Sequence, residues 1–223
     1  MKSIFIDYGD KSTDLCEIGK KYDTDKSSQR SNVTNNRHCH PYTLFYDELF
    51  RQKKTEDLKI AELGILDGAS LLMWRDYFPR ATIHGFEYNN TLIQNFRGGF
   101  DNSRITLSHI NVCNEDSIRG AFREAGGIYD IMIEDTTHQF EDQLRVIRSA
   151  YPYLKPGGVL IIEDIFKRCR EADYTERLGS VLDEYQDCYF VSLDHVNRNS
   201  TGWDNDKLFI LHKTGAEPLF PFL

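Results

Sequence analysis

The stretch Leu58-Lys-Ile-Ala-Glu-Leu-Gly-Ile-Leu-Asp-Gly-Ala-Ser70 is an apolar run that breaks into a loop with glycines at 64 and 68. The run reads as a buried strand, and Ala69 and Ser70 as the restart of the chain in a helix. Glycine accepts positive φ and lets a ligand come close to the backbone, while a helix N-terminus offers unpaired N–H groups. Glu62, at the strand end, places a carboxylate where it can answer a cationic ligand. A plain strand-to-helix turn in another α/β protein would use the same residues. The third close glycine of the dinucleotide fingerprint, which seats a pyrophosphate on the helix dipole, is missing.

Outward from this turn the chain alternates strands and helices. Thr82–Glu87 is the second strand and ends on a carboxylate. Glu87 follows Gly64 by 23 residues, about the interval at which nucleotide-binding α/β folds place an acid against ribose hydroxyls. Further strands are expected at 105–110, 129–135, 158–164, 188–193 and 207–212, with helices at 71–77, 91–97, 116–125, 140–154 and 175–184. The continuous apolar runs 129–135 and 158–164, flanked by helices, are the pattern of parallel strands buried on both faces. The last two strands lie close enough in sequence to form an antiparallel pair. Before the first strand, Leu15 with Ile18, and Leu44, Phe45, Leu49 and Phe50, recur at helical spacing. Residues 12–22 are a helix capped by Ser12 or Thr13, and 27–37 is a polar, Ser- and Asn-rich loop. The expected fold is therefore α/β: a Rossmann-like, seven-stranded, mostly parallel sheet with an antiparallel last strand and helices on both faces. Residues 1–56 form a helical N-terminal cap and substrate lid, and residues 57–223 the core.

Composition narrows the function. The 223 residues carry a net charge of −8, which argues against a broad phosphate-binding surface and so against a nucleic-acid partner. No apolar run is long enough to span a bilayer, and acidic residues stand where a signal peptide would have its apolar region, so a cytoplasmic protein without a membrane partner is expected. The five cysteines are scattered with no C-x-x-C pair, so free thiols are expected, and neither disulfides nor zinc.

The chemistry gathers in Ile133-Glu-Asp-Thr-Thr-His138 and Ile161-Ile-Glu-Asp164. Both should end neighbouring parallel strands, roughly 5 Å apart, at the edge where open α/β sheets bind ligands. Asp135, Glu163 and Asp164 would converge there, and carboxylates in a dry cleft repel one another unless a cation joins them. Hard oxygen ligands favour Mg²⁺, Mn²⁺ or Ca²⁺ over Zn²⁺. His138, three residues past Asp135, is placed to move a proton at neutral pH. Each has a plainer alternative: Asp135 or Thr136 capping the next helix, or His138 as a solvated loop residue. Glu134 should point away from Asp135 because strand side chains alternate.

Glu62-x-Gly64-x-x-x-Gly68-x-Ser70 resembles the first motif of class I S-adenosylmethionine methyltransferases. Taken with Tyr22-Asp-Thr-Asp-Lys26, His40-Pro-Tyr-Thr-Leu-Phe-Tyr46, Ser70-Leu-Leu-Met-Trp-Arg-Asp-Tyr-Phe78, Glu134-Asp-Thr-Thr-His138 and Trp203-Asp-Asn-Asp-Lys207, the chain from about residue 15 to 212 resembles the metal-dependent sugar O-methyltransferases of macrolide biosynthesis. The resemblance implies S-adenosylmethionine held by Glu62, Gly64, Gly68, Ser70, Glu87, Asn111 and Asp135, with Asn111 in the adenine loop. It implies Mg²⁺ (or Mn²⁺) on Asp135, Glu163 and Asp164, and His138 as the catalytic base. Lys26 and Tyr42, in the cap motifs, become candidate substrate contacts. The chain departs from the family pattern at Asp23, where glycine is usual, at Thr136-Thr137, where Gly-Ser is usual, at Asn111, where Asp is common, and in an apparent insertion over 27–39.

The expected function is methyl transfer to a sugar hydroxyl of a glycoside, polysaccharide precursor or natural product, with a small-molecule acceptor as the only required partner and homo-oligomerisation left open. Two other readings stand beside it: methylation of another small hydroxyl or amine metabolite, and a cofactor-binding partner without turnover.

Overall fold

The computed structural model describes residues 1–30, 38–99, 103–200 and 202–215. Most of the expected 27–39 insertion, residues 31–37, falls outside them. In chain order the elements are β1 (Lys2–Asp7), α1 (Asp14–Tyr22), α2 (Tyr42–Phe50), β2 (Lys59–Leu63), α3 (Ala69–Tyr77), β3 (Thr82–Glu87), α4 (Asn90–Gly99) and β4 (Ile105–His109). They continue with α5 (Glu115–Ala125), β5 (Tyr129–Glu134), α6 (Phe140–Ala150), β6 (Leu154–Ile162), α7 (Glu171–Leu178), β7 (Tyr185–Asp194) and β8 (Lys207–Lys213).

The strands form one sheet in the order β1-β7-β8-β6-β5-β2-β3-β4. Only β8 runs antiparallel to its neighbours, β6 and β7. Every residue of β5 is buried, with Ile131 and Ile133 in the core on one face and Met132 in the core on the other. That two-sided burial is why the segment is apolar throughout rather than alternating.

The sheet has eight strands, not the expected seven. The additional one, β1, pairs in parallel with β7 and forms the edge, so the first residues of the expected cap belong to the sheet. Its Lys-Ser-Ile-Phe-Ile-Asp sequence is mostly exposed, with Phe5 at 65%. A half-covered edge strand lacks the apolar run that marks the central ones. As expected, the last two strands, β7 and β8, form an antiparallel pair, and β8 lies between β7 and β6. The segment 140–154 ends as a helix at Ala150, and β6 starts earlier than expected, at Leu154.

α1 and α2 pack against each other, and α1 against α3, which brings the cap over the carboxyl ends of the central strands. α1 closes on Asp23 at φ +57°, its N–H donating to Gly19 O and Lys20 O. This is the left-handed helix-ending position that glycine fills most often. Aspartate is among the few other residues that tolerate it. Among the described residues, no helix is long and apolar enough to cross a membrane.

Candidate active site

Past the strand ends the sheet ladder continues for one residue: Gly64 N–H donates to Phe86 O (2.8 Å), Asp135 N–H to Leu63 O (2.8 Å) and Glu163 N–H to Glu134 O (2.9 Å). The chains then splay. They open a cavity of about 610 Å³ lined by Asp23–Lys26, Arg30, Gly64–Asp67, Ala69, Ser70, Glu87, Tyr88, Leu92, residues 110–113, Asp135–His138 and Asp164.

Both glycines are required by packing, and Gly64 also lines the cavity. A Cβ on Gly64 would lie 1.9 Å from Asp135 O, so glycine lets the β2 and β5 loops touch. Gly68, at φ +82°, caps α3, and a Cβ there would lie 2.3 Å from the Phe96 ring of α4. Gly68 does not line the cavity. Ser70 does, as does Glu87, whose two oxygens accept from Ile65 N–H (3.1 Å) and Asn89 N–H (2.8 Å). That anchorage fixes the carboxylate and leaves it lone pairs for hydroxyl donors. Asn111 also faces the cavity, its Oδ1 accepting from Cys113 N–H (3.0 Å), which sets the 111–114 turn before α5.

On the opposite wall, Asp135, His138 and Asp164 converge. His138 Nδ1 lies 3.9 Å from Asp135 Oδ1, and Nε2 lies 3.6 Å from Asp164 Oδ2. The three donor atoms lie within 4.8 Å of one another. His138 and Asp164 both sit at positive φ, 55° and 56°, a conformation that costs energy in non-glycine residues and clusters at functional sites. The cap for α6 is Gln139, without a side-chain bond, so neither Asp135 nor Thr136 is spent on capping it.

The remaining acids lie behind this wall. Glu163 is 1% exposed and accepts from the Lys26 ammonium and the Tyr46 hydroxyl. Lys26, itself buried, also binds Asp135 and stands 3.6 Å from Glu62. Glu62 accepts from Trp74 Nε1 (2.7 Å) and does not line the cavity. Its carboxylate therefore answers Lys26, not a ligand. Lys26, expected as a substrate contact, lines the cavity, and its Nζ also pairs with Asp135 and Glu163 and stands near Glu62. Tyr42, the other expected substrate contact, is fully buried and donates to Asp164 Oδ1 (2.5 Å), with Asn205 O also near its hydroxyl (3.1 Å). It positions Asp164 from behind.

These placements set the charges. Burial would raise Asp135, but the Lys26 ammonium and His138 hold it below the ordinary carboxylate range. Burial pushes Glu163 well above its usual value in spite of Lys26. Asp164 is raised, by burial first, with His40 opposing. Burial alone would lower Lys26, yet Asp135, Glu163 and Glu62 keep it firmly protonated.

His40 and Asp206 stand outside the set expected from sequence. His40 Nδ1 lies 2.8 Å from Asp206 Oδ1, and Nε2 lies 3.9 Å from Asp164 Oδ1. Burial works against the charged imidazole, but Asp164 and Asp206 raise it to about 9. Asp206 is held at about 2 despite burial, by His40, Ser200 and Arg198. Both residues lie within motifs quoted above, and only their contact across 166 residues reveals the pairing.

The donor set suits a hard divalent cation: two carboxylates and an imidazole whose Nδ1 is buried without a hydrogen-bond partner. The cavity, with a fixed acid at the end of β3 and a polar turn after β4, suits a nucleoside-bearing ligand. A mostly parallel sheet bearing such a site at the carboxyl edge of its central strands is a Rossmann-like α/β arrangement.

Residues 61–165 match the model of a family described as a methyltransferase domain. The chain is 28% identical over 163 residues to demethylmacrocin O-methyltransferase of Streptomyces fradiae, covering 69% of this chain and 36% of that protein. It is 24% identical over 176 residues to mycinamicin VI 2''-O-methyltransferase of Micromonospora griseorubida, covering 74% and 39% respectively. The chain thus spans little over a third of the length of these relatives. In fold it is similar to the MycE methyltransferase from the mycinamycin biosynthetic pathway, solved in complex with Mg and SAH. That match has a TM-score of 0.65 at 20% identity, over 96% of this chain and 59% of that one.

Proposed function

We propose that the protein transfers the methyl group of S-adenosylmethionine to a hydroxyl on the sugar of a glycoside. The observation that carries this reading is the convergence of Asp135, Asp164 and His138 on one wall of a cavity whose opposite wall holds Glu87 and Asn111. The cofactor would lie over the 64–70 turn, donating its ribose hydroxyls to Glu87 with its adenine beside Asn111. Mg²⁺ or Mn²⁺ held by Asp135 and Asp164 would supply Lewis acidity that makes an acceptor hydroxyl easier to deprotonate. Glu163 joins that ligand set only where Lys26 gives up its carboxylate. His138 takes the hydroxyl proton as the oxygen bonds to the methyl carbon and the sulfur departs as a thioether. Tyr42 holds Asp164 in place, and the α1–α2 cap over this side shapes the acceptor entrance. The names of the relatives support a sugar acceptor, while another small hydroxyl or amine acceptor is separated from it by screening acceptors with mass detection.

The donor geometry favours a second role for His138, as a third ligand of the cation. Magnesium calorimetry on the protein and on His138→Ala distinguishes the two. As a base, His138 leaves metal affinity unchanged when removed while turnover falls by about 10²-fold or more. As a ligand, its loss weakens the metal itself.

A further inference from the structure

Trp203 contributes little to the core and nothing to the cofactor cavity, yet the chain holds it firmly. Of the two tryptophans, Trp74 is buried with its Nε1 bonded to Glu62, whereas Trp203 is 46% exposed. Leaving so large an apolar ring in water forgoes burial that would otherwise stabilise the fold. The loop beneath it is tied at several points. Trp203 and Asp204 N–H both donate to Ser200 O, and Lys167 N–H donates to Asp204 O. Asp204 pairs with Lys167 (3.3 Å) and Arg198 (3.2 Å), and the fully buried Asp206 accepts from Arg198 and Ser200 (both 2.6 Å). Asp204 takes φ +36° to complete the turn.

The ring is presented beside the reacting groups. Its centroid lies 6.4 Å from that of His138, edge to face at 86°. His38 stands at 5.5 Å and Phe166 stacks at 5.9 Å and 25°. The cofactor cavity is bounded by His138 and Asp164, and Trp203 is not among its lining residues. The indole is therefore next to the base but outside the space assigned to the cofactor.

We infer that Trp203, braced by Phe166 and His38, is the platform on which the acceptor's pyranose ring stacks while one of its hydroxyls faces His138. The inference rests on the glycoside reading of the site and deepens it. A pyranose has an apolar C–H face and a hydroxyl rim, which match an indole face set beside a cluster of carboxylates and imidazole. The platform is one-sided and half in solvent, so the rest of a large glycoside can remain in water. Lys167 and Arg198 beside it are both ion-paired with Asp204, and Arg168 lies over the Phe166 ring at 4.5 Å. Trp203 is thus a positioning and specificity residue, with no part in proton transfer.

The test compares the protein with Trp203→Ala and Trp203→Phe, using mycinamicin VI and methyl α-L-rhamnopyranoside as acceptors. Trp203→Ala should raise the acceptor KM by about tenfold, with a smaller change in kcat and unchanged affinity for S-adenosylhomocysteine by calorimetry. Trp203→Phe should restore most of the KM. Either glycoside should quench tryptophan emission of the S-adenosylhomocysteine complex, and the quench should vanish in Trp203→Phe, where only buried Trp74 remains. An unchanged KM in Trp203→Ala, or a quench that survives in Trp203→Phe, overturns the platform while leaving the glycoside reading standing. Binding of S-adenosylhomocysteine with no turnover of either glycoside overturns both. Turnover of catechol alone, dependent on Trp203, assigns the platform to a planar aromatic acceptor and overturns the sugar assignment.

Discussion

Replacing Lys26 with methionine removes the ammonium that pairs with Asp135 and Glu163 and stands 3.6 Å from Glu62, and keeps the volume of the side chain. Lys26 is 2% exposed and Glu163 1%, so solvent cannot take over the role. Breaking a buried ion pair by deleting one partner costs about 3–5 kcal/mol, and the metal-free variant should lose about that much in urea unfolding at pH 8. The pH dependence carries a definite sign. Glu163 already binds its proton more tightly than an exposed glutamate because of burial, and deleting the ammonium raises it further. A carboxyl with a folded-state pKa above its unfolded value makes the folded state the greater proton binder, so stability rises as pH falls. Between pH 8 and pH 5.5 the deficit should shrink, by up to about 3 kcal/mol for one group. Magnesium should stabilise the variant more than the wild type, because it supplies the missing charge to the same carboxylates. A deficit below about 1 kcal/mol, or one equal at both pH values, would refute the assignment of Lys26 as internal counter-ion.

Three further outcomes follow from particular contacts. Gly68→Ala should destabilise the protein by about 1–3 kcal/mol, since φ is +82° and the new Cβ would meet the Phe96 ring; thermal unfolding measures this, and trimming Phe96 to leucine in the same chain should return part of it. Glu87→Ala should weaken S-adenosylmethionine binding by about tenfold or more without altering magnesium affinity, both read by calorimetry. The raised His40 contributes stability that is full below its unfolded pKa and lost as pH rises through about 9, so urea midpoints should fall over that window, and His40→Gln should flatten the fall.

The central strands were legible because burial on both faces leaves an unbroken apolar run, as in Tyr129–Glu134. β1 was not, because an edge strand with Phe5 in solvent carries no such pattern. The grouping of Asp135, His138 and Asp164 followed from parallel strands ending at one edge. The diversion of Glu163 did not follow, since it depends on Lys26 reaching across 137 residues from the cap. Glu62 and Tyr42 show the same limit: their residue types suit a ligand, and only the three-dimensional neighbours Trp74, Lys26 and Asp164 show that they support the site from behind. The glycine pattern located the turn correctly for a partly different reason, because Gly64 and Gly68 are required by Asp135 O and the Phe96 ring.

The most direct measurement incubates the protein with S-adenosylmethionine and a panel of glycosides, with magnesium or with EDTA, and follows the acceptor by mass spectrometry. The account predicts a product heavier by one methylene, lost in EDTA, restored by added Mg²⁺ and abolished in Asp135→Asn. Methyl transfer at full rate in EDTA, or no transfer to any glycoside by protein that binds the cofactor, would contradict it.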